Sequence, residues 1–395
     1  MYRSLLMRFI AIIITTCLLI FVEYKFEVID YLRFVNSVKS LRGSSITYSS
    51  DGEMIAVAGN FLPSKTSENK KSSKKVQIQI RRVEDNSLIT SIDSSATSNL
   101  AFSLDGSMIA VAGSYGGKVY IWRVGDGELI HSFDLKIDPR VSMISFVSFT
   151  QDEQNIVTLA SGLLNVQNLA SETNRVLSGD FTSAALSPNR ETVALGNRNN
   201  KTVDLYRLDD LSLVKQLEVN RRPFSLKLSF DGRQVAFISP SPFNPSKPFS
   251  RSIYLYSIED GSLPNIFNHP TKESLKKFAI SPDGRYLATS YSRSVPSSFF
   301  VGAPRGSDAR FYGRIRVWRI EDGKQLATFR GHKRRTTSIV FSPDGKFLTS
   351  TGWDGKVRFW KMPPRNYSWL WLFGAGGLAA LIYWQRTELI SWLDN

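Results

Sequence analysis

Apolar and polar positions alternate with period two in short runs through the middle of the chain, and compact turn phrases separate the runs. The clearest stretch is Gly331–Trp360, GHKRRTTSIVFSPDGKFLTSTGWDGKVRFW, in which Thr337–Phe341, Lys346–Ser350 and Lys356–Trp360 are divided by PDG and DG turns. Period-two alternation with Asp-Gly turns predicts three antiparallel strands joined by tight connections. The phrase recurs: turns at Ser50–Gly52, Ser103–Gly106, Thr150–Glu153, Ser187–Arg190, Ser229–Gly232, Ser281–Gly284 and Ser342–Gly345 each follow one alternating run and precede another. A third run ends on an aromatic residue or its substitute, as at Val119–Trp122, Val203–Tyr206, Ile253–Tyr256, Ile315–Trp318 and Val357–Trp360. A fourth run follows EDNS, GDGE, DDLS, EDGS or EDGK turns. Four strands per unit at a period of roughly 40 to 60 residues predicts radial repetition, and seven units can close into a propeller.

These units resemble the WD40-repeat β-propeller family over about Val38–Met362, most strongly in GRIRVWRIEDGKQLATFRGH and SPDGKFLTSTGWDGKVRFW. The resemblance implies an all-β, seven-bladed WD40-type β-propeller over residues 34–362, with six or eight blades as the alternatives. It also implies a network inside a blade, made by a His before the first strand, a Ser or Thr in the second, an Asp in the next turn and the Trp ending the third. The matching residues are His332, Ser350, Asp354 and Trp360, and only this unit carries the whole set. A buried carboxylate, imidazole and indole N–H are tolerable together when each satisfies the others. The unit at Val141–Leu177 departs furthest from the pattern. The last unit stops after its third strand, while Phe34–Gly43 is similar to the fourth strand at Leu326–Gly331. Residues 34–43 are therefore expected to complete the last blade and cover its edge.

Three units exceed the period between their second and third strands, at Asn60–Lys75, Ser239–Ser252 and Tyr291–Gly313. Ser, Pro, Lys and Asn dominate these insertions, which read as surface loops. In the strand order that the resemblance implies, they share a face with the loops leading into each first strand. That face would gather Lys70, Lys71, Lys74, Lys75, Arg221, Arg222, Lys276, Lys277, Arg305, Arg310, Lys333, Arg334 and Arg335, the candidate partner-binding residues. The opposite face receives turns holding Asp85, Asp126, Asp209, Asp210, Asp260 and Asp322. A formal net charge of +15 over 395 residues adds an electrostatic preference for anionic partners.

Both ends are apolar. Phe9–Val22 is an uninterrupted run flanked by Arg3, Arg8 and Glu23, and Tyr367–Trp384 carries aromatic residues at both ends with small residues between. Hydropathy and aromatic placement predict an N-terminal membrane anchor helix within residues 1–30 and a transmembrane or interfacial helix at 367–386. On this reading the protein is a membrane-anchored member of the family, with membrane lipid as a partner and the propeller on the cytoplasmic side.

Catalytic signatures are missing from the sequence. It has no G-x-G-x-x-G, Walker A or H-E-x-x-H phrase, and Cys17 with three scattered histidines offers no metal-ligand spacing. No cofactor is expected. The residues point to a non-enzymatic, membrane-anchored protein-interaction scaffold that turns a basic loop face toward an acidic protein partner. A propeller binding nucleic acid or another polyanion is the alternative, followed by an extracytoplasmic propeller enzyme with a polar, acidic central channel.

Overall fold

The computed structural model describes residues 41–61, 76–94, 99–113, 117–135, 144–240, 251–263, 265–268, 273–293 and 312–362. They form twenty-seven strands in seven antiparallel sheets. By internal contacts the chain divides into two compact units, Met1–Trp360 and Lys361–Asn395, and the seven blades make the first.

Each sheet is a meander in sequence order. The innermost strands, in blade order, are Leu41–Tyr48, Asn99–Phe102, Ile144–Phe149, Phe181–Leu186, Phe224–Leu228, Glu273–Ile280 and Thr336–Phe341. Each touches the innermost strand of the next blade, and the seventh touches the first, which closes the ring. Adjacent blades are joined by apolar side chains. Ile78 and Ile80 of blade 1 cluster with Phe102, Ile109 and Val111 of blade 2, and Ile46, Ile55 and Val57 of blade 1 meet Val357 and Phe359 of blade 7. Tyr48 Oη hydrogen-bonds Thr349 Oγ1 across that last seam. Burying one such aliphatic side chain contributes on the order of 1.5–3 kcal/mol. Because the sheets share no backbone ladder, this burial holds the blades together.

The turn between first and second strands explains the recurring SPDG phrase. In blade 7 Ser342 Oγ donates to Asp344 Oδ1 at 2.6 Å and accepts the Phe347 backbone N–H at 2.9 Å. Gly345 then takes φ 69°, a conformation that favours glycine.

Several sequence expectations need correction. The described residues contain no helix, and none long and apolar enough to cross a membrane. Phe9–Val22 and Tyr367–Trp384 both lie outside the described residues. Hydropathy was a weak guide here, because a 14-residue helical run covers only about 21 Å of a hydrocarbon core about 30 Å thick. The fold is all-β, and the terminal membrane-associated helices, the membrane-anchored family member, lipid as a partner and a membrane location with a cytoplasmic propeller are withdrawn.

The closing segment also changes. Leu41–Gly43 pairs with Gly59–Phe61 as the start of blade 1's innermost strand, whereas Phe34–Ser40 lies outside the described residues. Blade 7 has three described strands, Thr336–Phe341, Phe347–Gly352 and Val357–Lys361. The insertions begin on regular ladders: Tyr291–Arg293 pairs with Tyr312–Arg314, and Ser239 pairs with Ser252. Tyr291, placed in a loop by composition, is 1% exposed.

Candidate functional site

In a four-strand meander the loops between second and third strands share one end of the blade with the loops that lead into the next first strand. On that face the structure brings together several arginines, each resting on an aromatic ring. The Arg221 guanidinium lies 4.3 Å from the Tyr254 ring centre, Arg316 lies 4.3 Å from Tyr291, and Arg335 lies 4.8 Å from Trp353. Tyr254 and Tyr291 are buried, so they fix the planes on which the arginines sit, while Trp353 is 48% exposed. A cation held over a ring gains about 0.5–1 kcal/mol at an exposed site, and the ring fixes where its charge sits. Arg222, Lys333 and Arg334 are exposed beside them.

The loop carrying Lys333–Arg335 is anchored by the network of blade 7. Trp360 Nε1–H donates to Ser350 Oγ at 2.9 Å, and Ser350 Oγ lies 2.8 Å from His332 Nε2. His332 Nδ1 is 2.9 Å from Asp354 Oδ1. The donors dictate the tautomer: the Ser350 hydroxyl must donate to Nε2, leaving Nδ1–H to donate to the carboxylate. Asp354 Oδ2 accepts from the Lys333 backbone N–H at 3.0 Å and from Arg358 Nη1 at 3.1 Å. Arg358 Nη1 also lies 3.0 Å from His332 Nδ1, but that is a contact between two donors. Burial lowers the His332 pKa against the opposing pull of Asp354, which keeps the imidazole neutral. Burial works to raise the Asp354 pKa, yet its hydrogen bond from His332, with those of its other partners, brings the pKa below the ordinary carboxylate value. Every polar atom in the set has a use within the fold, and its chemistry is that of a brace.

Other sites fall differently from the sequence expectation. Lys276 and Lys277 belong to the innermost strand of blade 6, and His332 is the last residue of a strand, so neither lies in a lead-in loop. Lys277 and Lys227 of blade 5 are reached by solvent yet crowded by protein, as at the wall of a channel. Burial lowers both pKa values, and for Lys227 the charge of Lys277 adds to the effect. These two lysines put positive charge on the innermost strands of blades 5 and 6, opposite in sign to the acidic channel that the enzyme alternative required. Lys70, Lys71, Lys74, Lys75, Arg305 and Arg310 lie outside the described residues. Sequence reasoning missed Arg316 and the stacking surfaces Tyr254, Tyr291 and Trp353. Only Trp353 carried a signal, as an aromatic residue inside a WDG turn. Among the described residues no group of three His, Cys, Asp or Glu side chains could hold a metal ion.

Comparison with known proteins agrees with the fold. The family described as WD domain, G-beta repeat matches residues 84–123 and 323–361. An uncharacterised WD repeat-containing protein of Synechocystis is 27% identical over 110 residues, 22% of this chain and 32% of that protein. The target of rapamycin complex subunit wat1 of Schizosaccharomyces pombe is 27% identical over 128 residues, 31% of this chain and 34% of the relative. WD repeat-containing protein 1-B of Xenopus laevis is 23% identical over 264 residues, 65% of this chain and 38% of its own length. The matched stretches thus span about a third of the length of these curated relatives. Among solved structures, the β-propeller domain of Myceliophthora thermophila Cps50 (Swd1) superposes with a TM-score of 0.61 at 12% identity, covering 82% of this chain and 97% of that one.

Proposed function

We propose that this propeller is a protein-interaction scaffold whose basic loop face receives an acidic segment of a partner protein. The observation that carries the reading is the set of arginines held over aromatic rings on one face, Arg221 on Tyr254, Arg316 on Tyr291 and Arg335 on Trp353. Pre-positioned guanidinium groups lose less side-chain freedom on binding than solvated lysines do, and they match carboxylate geometry. The half-exposed Trp353 supplies an apolar anchor beside them, the pairing of residue types enriched where binding energy concentrates. A target of rapamycin complex subunit among the relatives supports an assembly role by likeness alone.

The test is affinity isolation of the full-length chain against a variant with Arg221, Arg222, Lys333 and Arg334 changed to Glu. Capture of a partner that the variant loses, with its unfolding midpoint unchanged, supports the reading. Equal capture by both proteins overturns it.

A further inference from the structure

Five of the seven turns between first and second strands place glycine at their left-handed position, Gly52, Gly106, Gly232, Gly284 and Gly345, with φ between 69° and 79°. Blades 3 and 4 depart from this pattern, with Glu153 at φ 57° and Arg190 at φ 53°. A bulky side chain in the left-handed region costs about 1 kcal/mol or more, so each needs a compensating use. For Glu153 the use is visible. Its Oε1 accepts the backbone N–H groups of Leu104 and Asp105 in the corresponding turn of blade 2, the latter at 3.0 Å.

Arg190 has no such use within the described fold. Its Nη1 is buried with no hydrogen-bond partner, and burial lowers its pKa against the pull of the already engaged Glu153. Burying a charged donor without a partner is among the more expensive states a side chain can hold. Arg190 lines a cleft of about 1200 Å³ between blades 3 and 4, on the end of the ring opposite the basic loop face. Of the other two arginines there, Arg175 Nη1 donates to the Asp209 backbone carbonyl, and the more than half-exposed Arg207 has its Nε 4.0 Å from Asp209 Oδ1, an ion pair too long for a hydrogen bond. Arg190 is thus the one arginine of the three with a buried nitrogen that lacks a partner.

We infer that this cleft binds a short peptide segment of a partner protein through a single carboxylate placed on Arg190. The lining selects that occupant. Asp152, Glu191 and Asp209 on the walls repel a polyanion such as nucleic acid, and the half-exposed Val214 gives apolar surface that a bare inorganic anion cannot use. A peptide with one acidic side chain between apolar neighbours satisfies both. The site is separate from the basic loop face, and its success or failure is independent of that reading.

The experiment screens the full-length chain against an immobilised library of seven-residue peptides. Enriched sequences are remade with Asp and Glu replaced by Asn and Gln, and with a photo-crosslinking residue. Arg190→Gly is the diagnostic variant, because it restores the residue that five other turns hold and leaves the fold at least as stable. The expected result is a set of binders sharing one acidic position, whose affinity falls about ten- to a hundredfold on either the amide replacement or Arg190→Gly, as for loss of a hydrogen bond between charged groups. Crosslinks should map to residues 150–155 and 190–214. Binders indifferent to Arg190→Gly, binders that tolerate the amide, crosslinks on the basic loop face, or no enrichment at all would each overturn the inference.

Discussion

Blade 7 and blade 2 solve the same problem with opposite outcomes. In blade 7 the indole of Trp360 donates to Ser350, which passes the chain of hydrogen bonds to His332 and Asp354 and from there to the loop that carries Lys333. In blade 2, Trp122 pairs in register with Ile109, and the position two residues along is Val111. With no hydroxyl there, the Trp122 Nε1–H is buried without a partner. Blade 6 lies between the two: Trp318 finds Thr289 Oγ1 at 3.0 Å, and among the described residues no histidine extends the chain. Blade 3 fails from the other side, keeping the buried Thr158 hydroxyl without a partner because Gln167 stands near the tryptophan position. Blade 5 puts Tyr256 at the tryptophan position, stacked on Phe237 at 5.6 Å and donating its hydroxyl to the Val219 carbonyl at 3.1 Å. A shared backbone therefore tolerates complete, truncated and rerouted versions of one network, and the complete version stands in the blade that closes the ring and anchors part of the basic face.

Breaking the complete network should have the largest effect. Asp354→Ala removes the acceptor of His332, the Lys333 backbone N–H and Arg358 together, and is expected to lower stability by about 3 kcal/mol or more. Urea unfolding followed by tryptophan fluorescence measures it. Ser350→Ala strands one donor and one acceptor and should cost about 2 kcal/mol in the same assay. The pH response follows from the neutral, buried His332. Its folded pKa lies below the ordinary value, so above about pH 6.5 its contribution is complete, and as the pH falls from there the unfolded chain takes up a proton that the folded one resists. The urea midpoint should therefore drop between pH 7 and 5.5, and the drop should shrink in His332→Asn. The smallest effects come from repairing the incomplete blades. Val111→Thr offers Trp122 an acceptor and Thr158→Val removes a stranded hydroxyl, and each is expected to raise stability by about 1 kcal/mol, read as an upward shift in midpoint. If Val111→Thr destabilises instead, the contrast between blades 2 and 7 is one of packing and not of hydrogen bonding.

Much of the propeller was legible in the residues. Period two located the strands, and a Ser or Thr and an Asp or Asn at each turn bond to the backbone that follows them, so the phrase itself reports the turn. The four network residues were readable as a set through the resemblance to WD40 repeats, and mutual satisfaction of buried polar groups explains why they occur together. Contacts set by register were much less legible. Arg316 reads as an outward strand position and Tyr291 as a loop residue, and only the extension of the blade 6 ladder past Ser290 brings them together. The substitutions of Glu153 and Arg190 for glycine were visible in TQDE and SPNR, yet their meaning depended on φ and on which neighbour each side chain reaches. Apolar content at the two ends suggested helices, and both runs lie outside the described residues.

The claim that the basic loop face receives an acidic protein partner is tested most directly by reversing charge on each face separately. Full-length chains carrying Arg221, Arg222, Lys333 and Arg334 changed to Glu, or Arg233, Arg285 and Lys346 changed to Glu at the opposite end, are compared with the parent in quantitative affinity isolation. The account predicts that the first variant loses the captured protein partner while the second retains it, with both unfolding midpoints near that of the parent. Equal retention by both variants, or loss confined to the second, would contradict it.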